Sequence, residues 1–175
     1  MNISNVIQLA SAIIIGFGVI VALKQLKDQH EWYRREKALS YSNLYYPELQ
    51  KTKILLEENF DIISRNDPIP IKEIKDKIEK NKELKIQLNY LLAYYENVGI
   101  ACFNKIADED VLFDLMVGTL ISFRNKLRNY IDFRREEARN SRLWENFEKL
   151  SIKWENKMKG PITKRRPTGA FKKRK

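Results

Sequence analysis

The feature that most constrains this chain is its uncharged N-terminal run, since the first charged side chain is Lys24. Within that run, Val6 to Leu23 reads VIQLASAIIIGFGVIVAL and is interrupted only by Gln8 and Ser11. An α-helix rises about 1.5 Å per residue, so 18 to 20 such residues span about 30 Å, the thickness of a bilayer's hydrocarbon core. The sequence therefore predicts a transmembrane anchor over residues 1–23.

Basic residues directly after the anchor predict its orientation. They are Lys24, Lys27, Arg34, Arg35 and Lys37. Because basic residues collect on the cytoplasmic side, we expect a single-pass protein of the cell (inner) membrane with its N-terminus outside and its C-terminus cytoplasmic. A cleavable signal peptide would carry basic residues before the apolar run, and a buried helix of a soluble core would show a polar face. Both alternatives fit the sequence less well than a transmembrane helix.

The spacing of small residues in the anchor leaves self-association open. Ala12 and Gly16 form one pair four residues apart, and Gly18 and Ala22 form another. Such pairs let two membrane helices approach closely, but they also occur by chance in apolar spans. A homo-oligomer is therefore one expectation for this chain, and the pattern alone does not decide it.

The remaining sequence predicts an all-α fold: an N-terminal transmembrane helix that continues into a cytoplasmic bundle of about four helices. No segment alternates apolar and polar residues as a strand does. We expect a juxtamembrane helical stem over 24–44, a helical cytoplasmic domain over 45–159 and a disordered basic tail over 160–175. Within the domain, Pro47 suits a helix start, and Pro68 and Pro70 break the chain before the next helix.

Apolar residues at three- and four-residue spacing predict which helix faces form the core. A helix from about 82 to 104 follows a short one over 71–80, and Asp108 is placed to cap the next helix. The predicted core positions, in chain order, are Leu49, Leu56, Phe60, Ile63; Leu84, Leu88, Leu91, Leu92, Tyr95, Val98, Cys102; Leu112, Leu115, Thr119, Phe123, Leu127, Ile131; and Leu143, Phe147, Leu150, Trp154, Met158.

The residues that commonly carry catalysis are scarce. Cys102 is the only cysteine and His30 the only histidine, so neither an intramolecular disulfide nor a Cys/His zinc site is available. His30 lies on the predicted stem, and no phosphate-binding loop follows Gly118. We therefore predict no enzyme activity and no cofactor.

Two carboxylates share helix faces with apolar residues, which makes them candidates for a site. Glu96 and Asp114 must be paired, protonated or engaged with a ligand if they are buried. Arg124 and Arg128 are candidate partners for Glu96 if these helices pack antiparallel. The four residues therefore predict either a structural ion pair or a ligand site. Trp144, Trp154, Tyr90, Tyr94 and Tyr95 similarly suit either a pocket lining or the core.

The formal net charge of +10 belongs mainly to the last sixteen residues, GPITKRRPTGAFKKRK, which hold seven basic and no acidic side chains. The rest of the chain is close to charge-balanced. Anionic lipid attracts such segments by about 1 kcal/mol per basic residue near the surface, and an acidic protein partner offers the same charge. Nucleic acid is the weaker alternative, since Phe171 alone offers little base stacking. The candidate contacts are Lys164, Arg165, Arg166, Lys172, Lys173, Arg174 and Lys175.

Four consecutive segments of the second half carry a family resemblance: YYENVGIACF, ADEDVLFDLMVGTLISF, NKLRNYIDFRREE and SRLWENFEKL. They resemble a family of small bacterial and archaeal membrane-anchored proteins that is grouped only as a domain of unknown function. The resemblance implies one N-terminal span and a helical cytoplasmic domain. It implies no activity, cofactor or catalytic residue.

Three functions stay open at this point. The first is a membrane-tethered module that binds an unidentified cytoplasmic protein. The second is a small membrane effector, of the phage-defence or toxin type, that acts through its span. The third is a nucleic-acid-binding protein held at the membrane.

Overall fold

The computed structural model describes the backbone of residues 3–41 and 47–160, with the side chains of 4–12 left outside the description. Those ranges contain six α-helices and no strand, so the predicted all-α class is confirmed. Five helices follow the first, where about four were expected. The helices are α1 Ile3–Ser40, α2 Pro47–Phe60, α3 Ile71–Lys80, α4 Glu83–Phe103, α5 Glu109–Glu137 and α6 Glu145–Lys159.

The helix boundaries follow from local sequence signals. Pro47 opens α2, and α3 begins directly after Pro70. The Asp108 side chain accepts hydrogen bonds from the backbone N–H groups of Asp110 at 3.0 Å and Val111 at 3.2 Å. It therefore caps α5 as predicted, since a side-chain acceptor here satisfies N–H groups that the helix itself leaves free.

The centre of the domain is α4, which packs against α6 on one side and α2 on another, while α3 contacts both α4 and α5. The predicted core positions of α4 are correct in full, because all seven of these residues are buried. Tyr95 is the middle of an aromatic cluster, with ring centroids 5.6 Å from Phe123 and 5.7 Å from Phe147. This cluster joins α4, α5 and α6 into one core.

Several predicted core positions on the other helices are wrong. Ile63 is exposed because α2 ends at Phe60 and the chain turns at Asp61, which has a positive φ of 52°. Leu115 and Thr119 are exposed on α5, and Met158 is exposed in the last turn of α6. The face of α5 that α6 and α1 cover instead buries Phe113, Met116 and Leu120.

The first helix runs unbroken from Ile3 to Ser40, through both the predicted anchor and the predicted stem. Every side chain from 13 to 33 is exposed, including the apolar ones up to Leu23. Among the residues that the structure describes, we find no helix with a stretch long and apolar enough to cross a membrane. The predicted span also takes in residues 6–12, whose side chains lie outside the described part.

The last turns of α1 dock onto the turn between α4 and α5. The Asp108 N–H donates to the Arg34 carbonyl at 3.0 Å, and the Arg34 guanidinium donates to the Ala107 carbonyl at 3.4 Å. One turn later Ala38 is fully buried, and the Tyr94 hydroxyl donates to the Tyr41 carbonyl. The end of the stem is thus part of the folded domain and runs antiparallel to α4.

Candidate functional site

Glu96 is the candidate that the structure places most firmly. Its carboxylate accepts three hydrogen bonds from the start of α6: from the Asn146 side-chain amide at 2.7 Å, the Asn146 N–H at 3.3 Å and the Phe147 N–H at 2.8 Å. The residue before α6, Trp144, has a left-handed backbone and provides no side-chain cap. Glu96 therefore caps α6 from a neighbouring helix and places a negative charge at its N-terminus.

One turn further along α4, Gly99 lies against the same part of α6. A Cβ built on Gly99 would be 2.7 Å from both the carbonyl carbon and the carbonyl oxygen of Asn146. Real Cβ atoms do not come so close to backbone, so the two helices cross here at a distance that only glycine permits. Glu96 and Gly99 together fix how α6 sits on α4.

The predicted pairing of Glu96 with Arg124 or Arg128 is wrong, because α6 packs against the face of α4 on which Glu96 lies. The Arg124 guanidinium instead donates to Glu155 of α6 at 3.0 Å. Arg128 and Asp114 are exposed on α5. The four candidate residues are thus not gathered in one site, and the two that make long-range contacts both hold α6.

A buried lysine that the sequence analysis did not single out supports the other end of the domain. The Lys126 ammonium is almost fully buried and donates to the carbonyls of Ile62 and Ile63, each at 2.9 Å. Burial lowers its pKa from the usual value for lysine. The sequence does contain a signal for the burial of Lys126: this residue lies between Phe123 and Tyr130, at a position in the apolar spacing of α5.

The aromatic candidates divide between the core and an open groove. Trp144, Trp154, Tyr94 and Tyr95 are buried, so for them the core interpretation is correct. Tyr90 and Tyr94 line an open groove of about 350 Å³ between α4 and the end of α1. Its lining consists of Tyr41, Tyr90, Ala93, Tyr94, Asn97, Ile100, Ala101 and Ile106. This lining carries no charged side chain, so it suits contact with another surface better than acid–base chemistry.

The Cys102 thiol and the possible metal ligands form no reactive site among the described residues. Burial raises the pKa of the Cys102 thiol to about 12, which keeps it protonated at neutral pH and unlike a reactive cysteine. No cluster of three or more metal-ligating side chains occurs in the ranges that the structure describes.

The C-terminal end of α6 meets the N-terminal end of α5. The Trp154 indole N–H donates to Glu109 at 3.1 Å, and Lys157 donates to Asp110 at 2.7 Å. The seven basic residues of the predicted tail, Lys164 to Lys175, follow this point and lie outside the described residues. The last turns of α6 therefore lie close to the turn on which α1 docks.

Comparison with known proteins gives one match. A family model described as "Domain of unknown function (DUF4760)" matches residues 12–154, which is most of the chain. No curated protein and no solved structure matches the chain.

Proposed function

The chain belongs to this domain family of unknown function, DUF4760, and we propose that it is a single-pass membrane protein whose helical domain is an interaction module on the cytoplasmic face. The apolar N-terminal half of α1 is the anchor, with its N-terminus outside. The basic tail contacts anionic lipid beside that anchor. The function so proposed is to hold a binding surface at the membrane, without catalysis.

The anchor is supported by the sequence and the exposure of α1. The run before Lys24 has no charged side chain, and the described apolar side chains from Ile13 to Leu23 are all exposed. Side chains exposed on every side of a helix leave that helix without protein to cover it, and a bilayer covers such a surface on all sides. Residues 6–12 are assigned to the anchor from the sequence alone.

The observation that carries the proposal is that the chain enters and leaves the domain at the same end. Asp108, at the start of α5, contacts Arg34 and Arg35 of α1. Two residues further on, Asp110 pairs with Lys157 near the end of α6. If the anchor is in the membrane, the tail therefore begins on the side of the domain that faces the bilayer.

The distances involved are short enough for the tail to reach lipid. Arg34 lies eleven positions after Leu23 in α1, a helical rise of about 16 Å. Fifteen residues follow Gly160, and a chain of that length spans at most about 50 Å. The basic side chains thus have ample reach to a surface to which the domain is already tethered, and tethering raises their effective concentration there.

We expect the full chain to remain in the membrane fraction after alkaline carbonate washing, because the anchor is integral. The matched variant is Ile14→Lys combined with Ile20→Lys, since charged residues at a helix centre each oppose insertion by about 2.5–3.5 kcal/mol. This double variant is expected in the wash supernatant. Release of the unaltered chain by carbonate would contradict the anchor.

We expect a peptide of residues 160–175 to bind vesicles that contain phosphatidylserine and to ignore neutral phosphatidylcholine vesicles. Replacing Lys172, Lys173, Arg174 and Lys175 with glutamine removes about 1 kcal/mol per charge, which is about fivefold in affinity for each one. Vesicle co-sedimentation measures this at physiological salt. Tighter binding to RNA than to the anionic vesicles would favour the nucleic-acid function instead.

A further inference from the structure

One short segment of the domain contacts both the end of α1 and the end of α6. The Asp108 N–H and the Ala107 carbonyl form hydrogen bonds with Arg34 of α1, at 3.0 and 3.4 Å. The next two residues, Glu109 and Asp110, begin α5 and bind side chains of α6. These four consecutive residues, which we term the bridging turn, therefore join the two helices.

The bridging turn holds the last turn of α6 through its acidic side chains. Glu109 accepts a hydrogen bond from the Trp154 indole N–H at 3.1 Å, and Asp110 accepts one from the Lys157 ammonium at 2.7 Å. Trp154 is fully buried, whereas every side chain of residues 156–159 is exposed. A helix end with so few buried contacts opens locally, so its stability depends on the contacts that the bridging turn provides.

Asp108 makes the start of α5 depend on α1. Its carboxylate caps α5 by accepting from the N–H groups of Asp110 and Val111, and it lies 3.6 Å from the Arg35 guanidinium. The backbone of Asp108 is extended, with φ −75° and ψ 113°, and its N–H donates to the Arg34 carbonyl. A residue caps a helix from this extended conformation. The contact with α1 therefore helps to hold the backbone in the conformation that the cap requires.

We propose that the bridging turn couples the docking of α1 to the docking of the last turn of α6. When the end of α1 leaves the domain, the backbone of Ala107 and Asp108 loses its hydrogen-bond partners, and the first turn of α5 loosens. Its acidic side chains then release α6. The hydrogen bond between Arg124 and Glu155 lies outside the bridging turn, so the loosening is confined to residues 156–159.

The coupling gives the domain a way to respond to its first helix. It goes beyond the proposed function and does not depend on the membrane anchor, because all of the contacts lie within the folded domain. A partner or a force that displaces α1 changes the end of α6, which the basic tail follows in the chain. Since coupling between two sites is reciprocal, a molecule that draws the last turn of α6 away also weakens the docking of α1.

The test is amide hydrogen exchange of the full chain in detergent, measured at residues 156–159. Ala38 is fully buried where the end of α1 docks, so Ala38→Glu displaces that end, and about tenfold faster exchange is expected. Ile74→Ala is the matched control, because Ile74 is equally buried but lies on α3. It destabilises the whole domain yet should leave this exchange unchanged, since fraying of a helix end is a local opening.

Unchanged exchange at residues 156–159 in Ala38→Glu would overturn the coupling, and so would an equal increase in Ile74→Ala. If Ala38→Glu loses its helical circular dichroism, Ala38→Val decides instead. Its two added methyl groups displace α1 less, and about threefold faster exchange is expected. The reverse direction is measured with Glu109→Ala, which should speed exchange at Leu39 and Ser40 of α1 by about the same factor. Unchanged exchange there would contradict the reciprocity that the coupling requires.

Discussion

Replacing Gly99 with alanine is expected to destabilise the folded domain by about 1–3 kcal/mol, the usual cost of overpacking a tight contact. The added Cβ would lie 2.7 Å from backbone atoms of Asn146. Backbone gives way less easily than a flexible side chain, and here it belongs to the residue that Glu96 holds. Relief of the clash therefore requires α6 to move off α4, which weakens the cluster around Tyr95.

Gly118 provides the matched control for this substitution. It also lies within a helix, but it is exposed and a Cβ there would meet nothing within 4 Å. Since alanine is the better helix former, Gly118→Ala should gain about 0.5–1 kcal/mol. Thermal unfolding of the full chain in detergent, followed by circular dichroism, measures both, at about 2–4 °C per kcal/mol for a chain of this size. Equal melting temperatures for the two variants would contradict the close crossing of α4 and α6.

The helices themselves were predictable because their signals are local. The two prolines before α3 and the cap at Asp108 act within a few residues, and the structure has each boundary where they place it. The predicted core positions of α4 were also correct, since α2 and α6 pack against the face of α4 that carries them. On α5 the same reasoning failed at Leu115 and Thr119, because the face that becomes buried depends on where α6 and α1 dock, and spacing within one helix does not contain that information.

The candidate site shows a sharper limit of sequence reasoning. The spacing along α4 identifies Glu96 as a carboxylate on an apolar face, and the partners expected for it are arginine side chains. The actual partners are mainly backbone N–H groups at the start of α6. Lys126 likewise binds backbone carbonyls. Backbone partners have no residue type and therefore leave no pattern in the sequence, so only the tertiary structure reveals them.

Replacing Glu96 with alanine is expected to cost about 3 kcal/mol of unfolding free energy, because hydrogen bonds to a charged group are strong and the donors they satisfy would be left partly buried. The Trp144 side chain provides no cap that could take over. We expect the loss to appear first as weaker docking of α6, detected by faster amide hydrogen exchange at Asn146 and Phe147 than in the unaltered chain.

Two further variants separate a structural role of Glu96 from a ligand-binding one. Glu96→Gln keeps the shape, but its NH2 group replaces one acceptor oxygen, so the backbone N–H of either Phe147 or Asn146 loses its acceptor and a loss of about 1–2 kcal/mol is expected. Asp114→Asn, exposed on α5, should stay within about 0.5 kcal/mol of the unaltered chain. If the melting temperature of Glu96→Ala instead equalled those of Asp114→Asn and the unaltered chain, the cap would not stabilise α6. The carboxylate would then be free to serve a ligand, and the interaction surface of this domain would have to be sought at α6 as well as at α4.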